Sequence, residues 1–126
     1  MEINEITSEI ISASIEIHTA LGPGLLESVY EEVLFYELTE RKLFVERQVP
    51  IPVFYKGLKM KIGFRADLIV EKTIVVEIKS VEIVSPVYKK KAIAYLKLTG
   101  LKIGLLINFN VILLKDGIKR IINGYL

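Results

Sequence analysis

A mixed β-sheet flanked by helices, an α/β fold, is what this sequence predicts, on three observations. Apolar residues recur at helical spacing over the first forty positions, and β-branched and aromatic residues then dominate the middle. A helix start at Ser85-Pro86 falls between further strand-like runs. Elements in that order pack as a sheet covered by helices.

In chain order, Ile6, Ile10, Ala13, Ile17 and Leu21 give the helical period to a first helix from about Asn4 to Leu21, which Asn4 can cap. Gly22, Pro23 and Gly24 break it. A second helix over about Leu26 to Arg41 carries Leu26, Val29, Tyr30, Val33 and Leu34 on its apolar stripe, closing a helical hairpin. Phe44 to Tyr55 reads as a strand that Pro50 and Pro52 mark as an edge or a bulge. Lys56-Gly57 turns the chain into a strand over Leu58 to Val70, and Thr73 to Val81 makes another. Ser85 caps a helix with Pro86 at its first position, running to Gly100. Lys102 to Asn108, Val111 to Leu114 and Ile118 to Ile122 complete the sheet, with a turn at Asp116-Gly117.

The 126 residues suit one domain over 1–126. Hydrophobic residues at 52% and charged residues at 25% exclude a disordered chain. With no cysteine and one histidine, thiolate and His-rich zinc sites are excluded, so a metal would be a hard cation held by oxygens. A net charge of +2 does not announce a polyanion partner. Lys89, Lys90 and Lys91, with Lys97 and Lys102 nearby, form either a phosphate-binding edge or a solvated helix face. No run approaches the roughly 20 apolar residues of a membrane span. Met1 to Glu5 include acids and lack a basic start, which sets a cytoplasmic location as the expectation.

The chemistry concentrates between Arg65 and Lys79. If Glu71 to Thr73 make the turn, Asp67 faces Glu77 across an antiparallel pair. Lys79, two residues on, shares that face, as does Arg65, two before Asp67. Adjacent carboxylates in apolar surroundings repel, and Mg²⁺ or Mn²⁺ relieves the repulsion. Such an ion lowers the pKa of a bound water and polarises a phosphoryl oxygen, while a lysine beside it stabilises developing charge. Those are the parts of a phosphodiesterase; a surface ion pair on a half-exposed sheet is the other reading. Taken by itself, Glu27 fits a first-turn acid favoured by the helix dipole better than it fits a site ligand. His18 reads as a packed helical histidine or a site group.

Gly24-Leu25-Leu26-Glu27-Ser28-Val29-Tyr30 resembles the signature of the GxxExxY proteins, a group within the PD-(D/E)XK nuclease superfamily. The resemblance runs from Ile17-His18 through Asp67 and Glu77-Ile78-Lys79 to Tyr95–Gly100 and Gly104–Phe109. It implies a restriction-endonuclease-like (PD-(D/E)XK) core. It also implies Asp67 and Glu77 as metal ligands, Lys79 as the catalytic lysine and Glu27 as the helix carboxylate completing the Mg²⁺ (or Mn²⁺) site. Nucleic acid is the implied substrate, DNA ahead of RNA, without a membrane partner and in a form compatible with a homodimer. Where related nucleases carry histidine and glutamine on the helix after the lysine strand, this chain has Tyr88 and Lys91, while Tyr95 is kept. Tyr88, Lys91 and Tyr95 share a helix face, where Lys91 could bind phosphate, repel the metal or pair with Glu77. Arg65, Lys91 and Tyr95 are therefore candidate substrate contacts. A catalytically silent nucleic-acid-binding or self-assembling protein is the alternative, and a structural module whose carboxylates are surface charges is a third.

Overall fold

Apolar side chains three and four residues apart wind the first segment into α1, Ile3–Leu21, with Ile6, Ile10, Ala13 and Ile17 buried. The helix starts one residue ahead of the expected Asn4: Glu2 takes the cap position without a side-chain hydrogen bond. Gly22, at a left-handed φ of 74°, ends it. α2, Glu27–Glu40, returns antiparallel and buries Tyr30, Leu34 and Leu38. The loop between them is tied by Tyr30, whose hydroxyl donates to the Gly22 carbonyl (2.6 Å) and accepts from the Leu25 amide (3.1 Å). Its ring stacks on Phe109 at 4.3 Å. The computed structural model describes residues 1–124, so the last two residues of the domain expected over 1–126 lie outside the described residues.

The strands are β1 (Val45–Ile51), β2 (Phe54–Tyr55), β3 (Leu58–Lys59), β4 (Phe64–Val70), β5 (Ile74–Lys79), β6 (Ile103–Asn108) and β7 (Ile118–Ile122). A five-stranded sheet has the order β1-β4-β5-β6-β7, and β2 with β3 forms a separate hairpin. Among the described residues only β5 and β6 are parallel, joined by α3, Pro86–Thr99, as a parallel pair requires a crossover. α3 begins as expected: Ser85 accepts from the Val87 amide and Pro86 occupies the first turn. The mixed sheet flanked by helices is the fold class read from the sequence.

Three strand expectations change. Phe44–Tyr55 divides into β1 and β2, because Pro52 cannot donate to a ladder and the ribbon bends after Ile51. Leu58–Val70 divides likewise at Gly63, where a Cβ would lie 2.5 Å from the Ile51 carbonyl oxygen. Val111–Leu114 is no strand: β7 returns to pair with β6, and the intervening chain runs through a 3₁₀ turn at Leu114–Gly117. Val111 and Leu114 close the end of the core there, and the Val111 carbonyl lies 2.8 Å from His18 Nε2. His18 is thus a packed residue, the plainer of its two readings.

Helices α1 and α2 cover one face of the sheet and α3 the other. Ile74, Val76 and Ile78 of β5 join the core under α1 and α2, while Val75 packs under α3 with Ala92, Tyr95 and Leu96. Burial on both faces explains why β5 and β6 read as continuous apolar runs. Tyr30→Phe leaves the Gly22 carbonyl and Leu25 amide without their partner, and is expected to lower the unfolding free energy by about 1–3 kcal/mol. Urea denaturation followed by circular dichroism measures it, and an unchanged midpoint would deny the hydroxyl this role.

Candidate active site

The site forms where β4 and β5 part. Their ladder holds only Val70–Ile74, Ile69–Val75 and Leu68–Val76. It is set by the turn at Glu71 and Lys72, both at φ 52°, closed by the Thr73 amide on the Val70 carbonyl. The left-handed pair is the conformation of a type I′ turn, whose twist matches that of its flanking strands. The Glu71 carboxylate fixes it further by accepting from the Phe44 amide at 2.6 Å. Continued by one residue, this register sets Asp67 opposite Glu77, as the sequence predicts.

At that position carboxylates replace the carbonyls of the ladder. Asp67 Oδ2 accepts from the Ile78 amide at 2.8 Å, and Glu77 Oε1 accepts from the Asp67 amide at 3.3 Å. The exchange keeps the backbone satisfied while holding Glu77 inside and Asp67 half-buried beside it. Glu77 is only 8% exposed. Burial first, then the neighbouring Asp67 charge, push its carboxyl up to about 8. Burial also raises Asp67, opposed by the Ile78 amide and supported by the Glu31 charge.

On the α3 side, Glu77, Lys79, Tyr88, Lys91 and Tyr95 enclose a cavity of about 60 Å³. That holds an ion and a water or two but not a nucleotide, given about 30 Å³ per water. Lys79 Nζ lies 4.4 Å from the centre of the Tyr88 ring, a cation–π contact that holds the ammonium at the cavity wall. Burial and then the Glu77 and Asp67 charges raise the Tyr95 hydroxyl, so it stays a donor. Lys91 shares the cavity, as helix periodicity indicates. Arg65 turns outward, donating to the Gln48 carbonyl at 3.2 Å.

Glu27 stands apart from the other acids. Its Oε2 accepts from the Ser80 amide at 3.2 Å, and the Ser80 hydroxyl donates to the Leu25 carbonyl. Among the described residues, no three acids or histidines gather closely enough to hold an ion, so the expected trio of Glu27, Asp67 and Glu77 is not assembled as a ligand set. The reason is position along α2: Glu27, in its first turn, reaches the exit of β5, while Glu31 one turn on approaches β4. Glu31 is 7% exposed and accepts from Arg47 (2.9 Å) and Gln48 (2.7 Å). Gln48, at φ 48°, also reaches Asp67 at 3.4 Å. Glu31 and Gln48 are parts of this site that sequence reading missed. The i,i+4 relation of Glu31 to Glu27 was the available signal. Asn108 was also missed: it clamps both the amide and the carbonyl of Val81, just beyond Ser80.

A family profile described as the PD-(D/E)XK nuclease superfamily matches residues 4–121. The chain belongs to that superfamily. No curated protein matches it, and no solved structure does. PD-(D/E)XK nucleases generally use divalent metals, and the donor set here fits one of them. Mg²⁺ keeps several waters and is commonly held by one or two carboxylates plus substrate phosphates, so a pair of acids is compatible with such an ion. Their shared position, where one carboxyl is forced to keep a proton, is the conflict that an ion resolves.

Without metal, the folded chain holds a proton on Glu77 between its ordinary value of 4.5 and about 8, whereas the unfolded chain releases it. Stability therefore falls as pH rises across that window. Urea midpoints from pH 5 to pH 8 in EDTA should decline by an amount worth up to a few kcal/mol, and Glu77→Gln should flatten the slope. Equal slopes in the two proteins would refute the assignment.

Proposed function

We propose that this PD-(D/E)XK protein belongs to the GxxExxY group and is a divalent-metal-dependent nuclease that hydrolyses phosphodiester bonds of nucleic acid. The observation that carries the reading is the pair of facing carboxylates where β4 and β5 part, Glu77 buried and Asp67 half-buried, with Lys79 beside Glu77 in the cavity wall.

In this reading Asp67 and Glu77 would hold the ion. Bound there, Mg²⁺ or Mn²⁺ supplies a Lewis acid and a water of lowered pKa. Lys79, on the same face as Glu77, donates to the attacking water or to the phosphoryl oxygen on which charge develops. The protonated Tyr95 hydroxyl and Lys91 stand at the wall where a phosphate would enter, and Arg65 meets the strand beside it. Glu27 acts as a positioning residue: by holding the Ser80 amide it fixes the end of β5, and with it the path of Lys79.

A catalytically silent form has one observation in its favour, the Lys91 ammonium in the same cavity as Glu77. An ammonium there could compensate the carboxylates and exclude the ion. Calorimetry separates the two readings. Mn²⁺ should bind the wild type, and Asp67→Ala or Glu77→Ala should abolish both the heat and the cleavage of nucleic acid. Lys79→Met should keep the heat and lose about 10²–10³-fold in kcat, the scale of one charge-stabilising donor. No Mn²⁺ heat in the wild type favours the silent form, and its appearance in Lys91→Gln would identify Lys91 as the excluding group.

A further inference from the structure

Between Glu46 and Asp67 the chain has no acid and five cations: Arg47, Lys56, Lys59, Lys61 and Arg65. Lys56 and Lys59 ride on the β2–β3 hairpin, which stands outside the five-stranded sheet, and Lys61 follows it by two residues. The same hairpin exposes Phe54 (59%) and Tyr55, and Ile62 beside it is 83% exposed. An isolated two-stranded hairpin is marginal in water, and bare aromatic rings on it are unfavourable unless something covers them. Phe54 is paired with Lys59 and Tyr55 with Leu58, so adjacent aromatics point to opposite faces. Lys56 Nζ lies 5.5 Å from the Tyr55 ring centre, so charge and flat ring are presented together.

The hairpin also connects to the carboxylates. It prolongs the β1–β4 ribbon beyond the Ile51–Phe64 pair, and Phe64 lies three residues, about 10 Å of strand, from Asp67. The Phe64 ring packs against Tyr95 at 5.2 Å, and Tyr95 lines the cavity with Glu77 and Lys79. The base of the hairpin ribbon is therefore one ring contact away from the cavity wall.

We propose that the β2–β3 hairpin is a strand-binding arm: Lys56, Lys59 and Lys61 take the phosphates of a single-stranded nucleic acid, and Phe54 and Tyr55 stack on its unpaired bases. The inference rests on the nuclease reading for its direction, since it names the substrate class of that site. Charge complementarity selects a polyanion, and the rings select one whose base faces are open, because paired bases present no face to stack on. Neither contact reads base identity.

Fluorescence anisotropy of labelled oligodeoxythymidylate, oligouridylate and a short DNA duplex tests this on the full chain in EDTA, where no cleavage occurs. Phe54→Ala/Tyr55→Ala should weaken both single strands at least about fivefold per stacked base and leave the duplex unchanged. Lys56→Gln/Lys59→Gln/Lys61→Gln should weaken all three, and lower the salt slope on single strands by about 0.7 for each phosphate contact removed. A loss confined to the DNA or the RNA strand also supports the arm and adds the sugar it prefers. Unchanged affinity for both single strands in both variants overturns the proposal. So does an aromatic variant that merely turns a dimer into a monomer, since the rings would then cover a second copy of the chain. Both variants lie outside the core, and thermal melting checks their folding. Hydrolysis of bis(p-nitrophenyl) phosphate with Mn²⁺, a diester too small to reach the hairpin, should be equal in all proteins. Its absence in the wild type would count against the nuclease reading alone and leave the anisotropy result standing.

Discussion

Beyond Leu68 and Val76 the two middle strands stop serving each other's backbone, and two carboxylates take over. Each acid accepts from an amide at or next to the opposite acid, so neither can swing out to solvent without stranding a buried N–H. That exchange fixes the rest of the site. It keeps two carboxyls close together despite the cost, and opens a gap in an otherwise continuous sheet, where the second Asp67 oxygen meets the Gln48 side-chain amide. A strand pair that zipped on to Ala66 and Ile78 would be more regular and would have no site.

The surrounding fold keeps the gap from collapsing. β5 lies at the centre, bonded to parallel β6 along its whole length, so its position does not depend on β4. Its exit is held from two directions, by Glu27 from the start of α2 and by Asn108 from the end of β6. Apolar packing under α3 reaches Val75 and then gives way to Glu77 and Lys79. The change from packing to chemistry thus occurs within one strand, over residues that alternate between a dry core and a polar cavity.

What the sequence made legible was what short-range periodicity determines. The facing of Asp67 and Glu77 followed from a turn at Glu71–Thr73 and the two-residue period of a strand, and α3 followed from Ser85, Pro86 and Gly100. The apolar run Val111–Leu114 misled because hydrophobicity without a period does not distinguish a strand from a plug at the end of a core. The bends at Pro52 and Gly63 were half legible, through the prolines alone. Glu27 was recognisable as a helix carboxylate, but its partner was not, because the height of α2 over the sheet is a tertiary quantity. The same blindness hid Glu31 and Gln48, whose contacts join residues 16 and 17 positions apart, through a left-handed backbone at Gln48 that no local signal announces.

The turn that joins β4 to β5 touches neither cavity nor hairpin, yet it acts as the gauge for both carboxylates. Inserting or deleting a single amino acid there would rotate every later side chain of β5 by half a pleat. Glu77 would then be thrust among the aliphatic residues beneath α1 and α2, and Val76 after an insertion, or Ile78 after a deletion, would face the opening in its stead. Homologues can thus be expected to preserve the exact length of this short loop, and with it the acid at position 71 that ties it to the Phe44 amide.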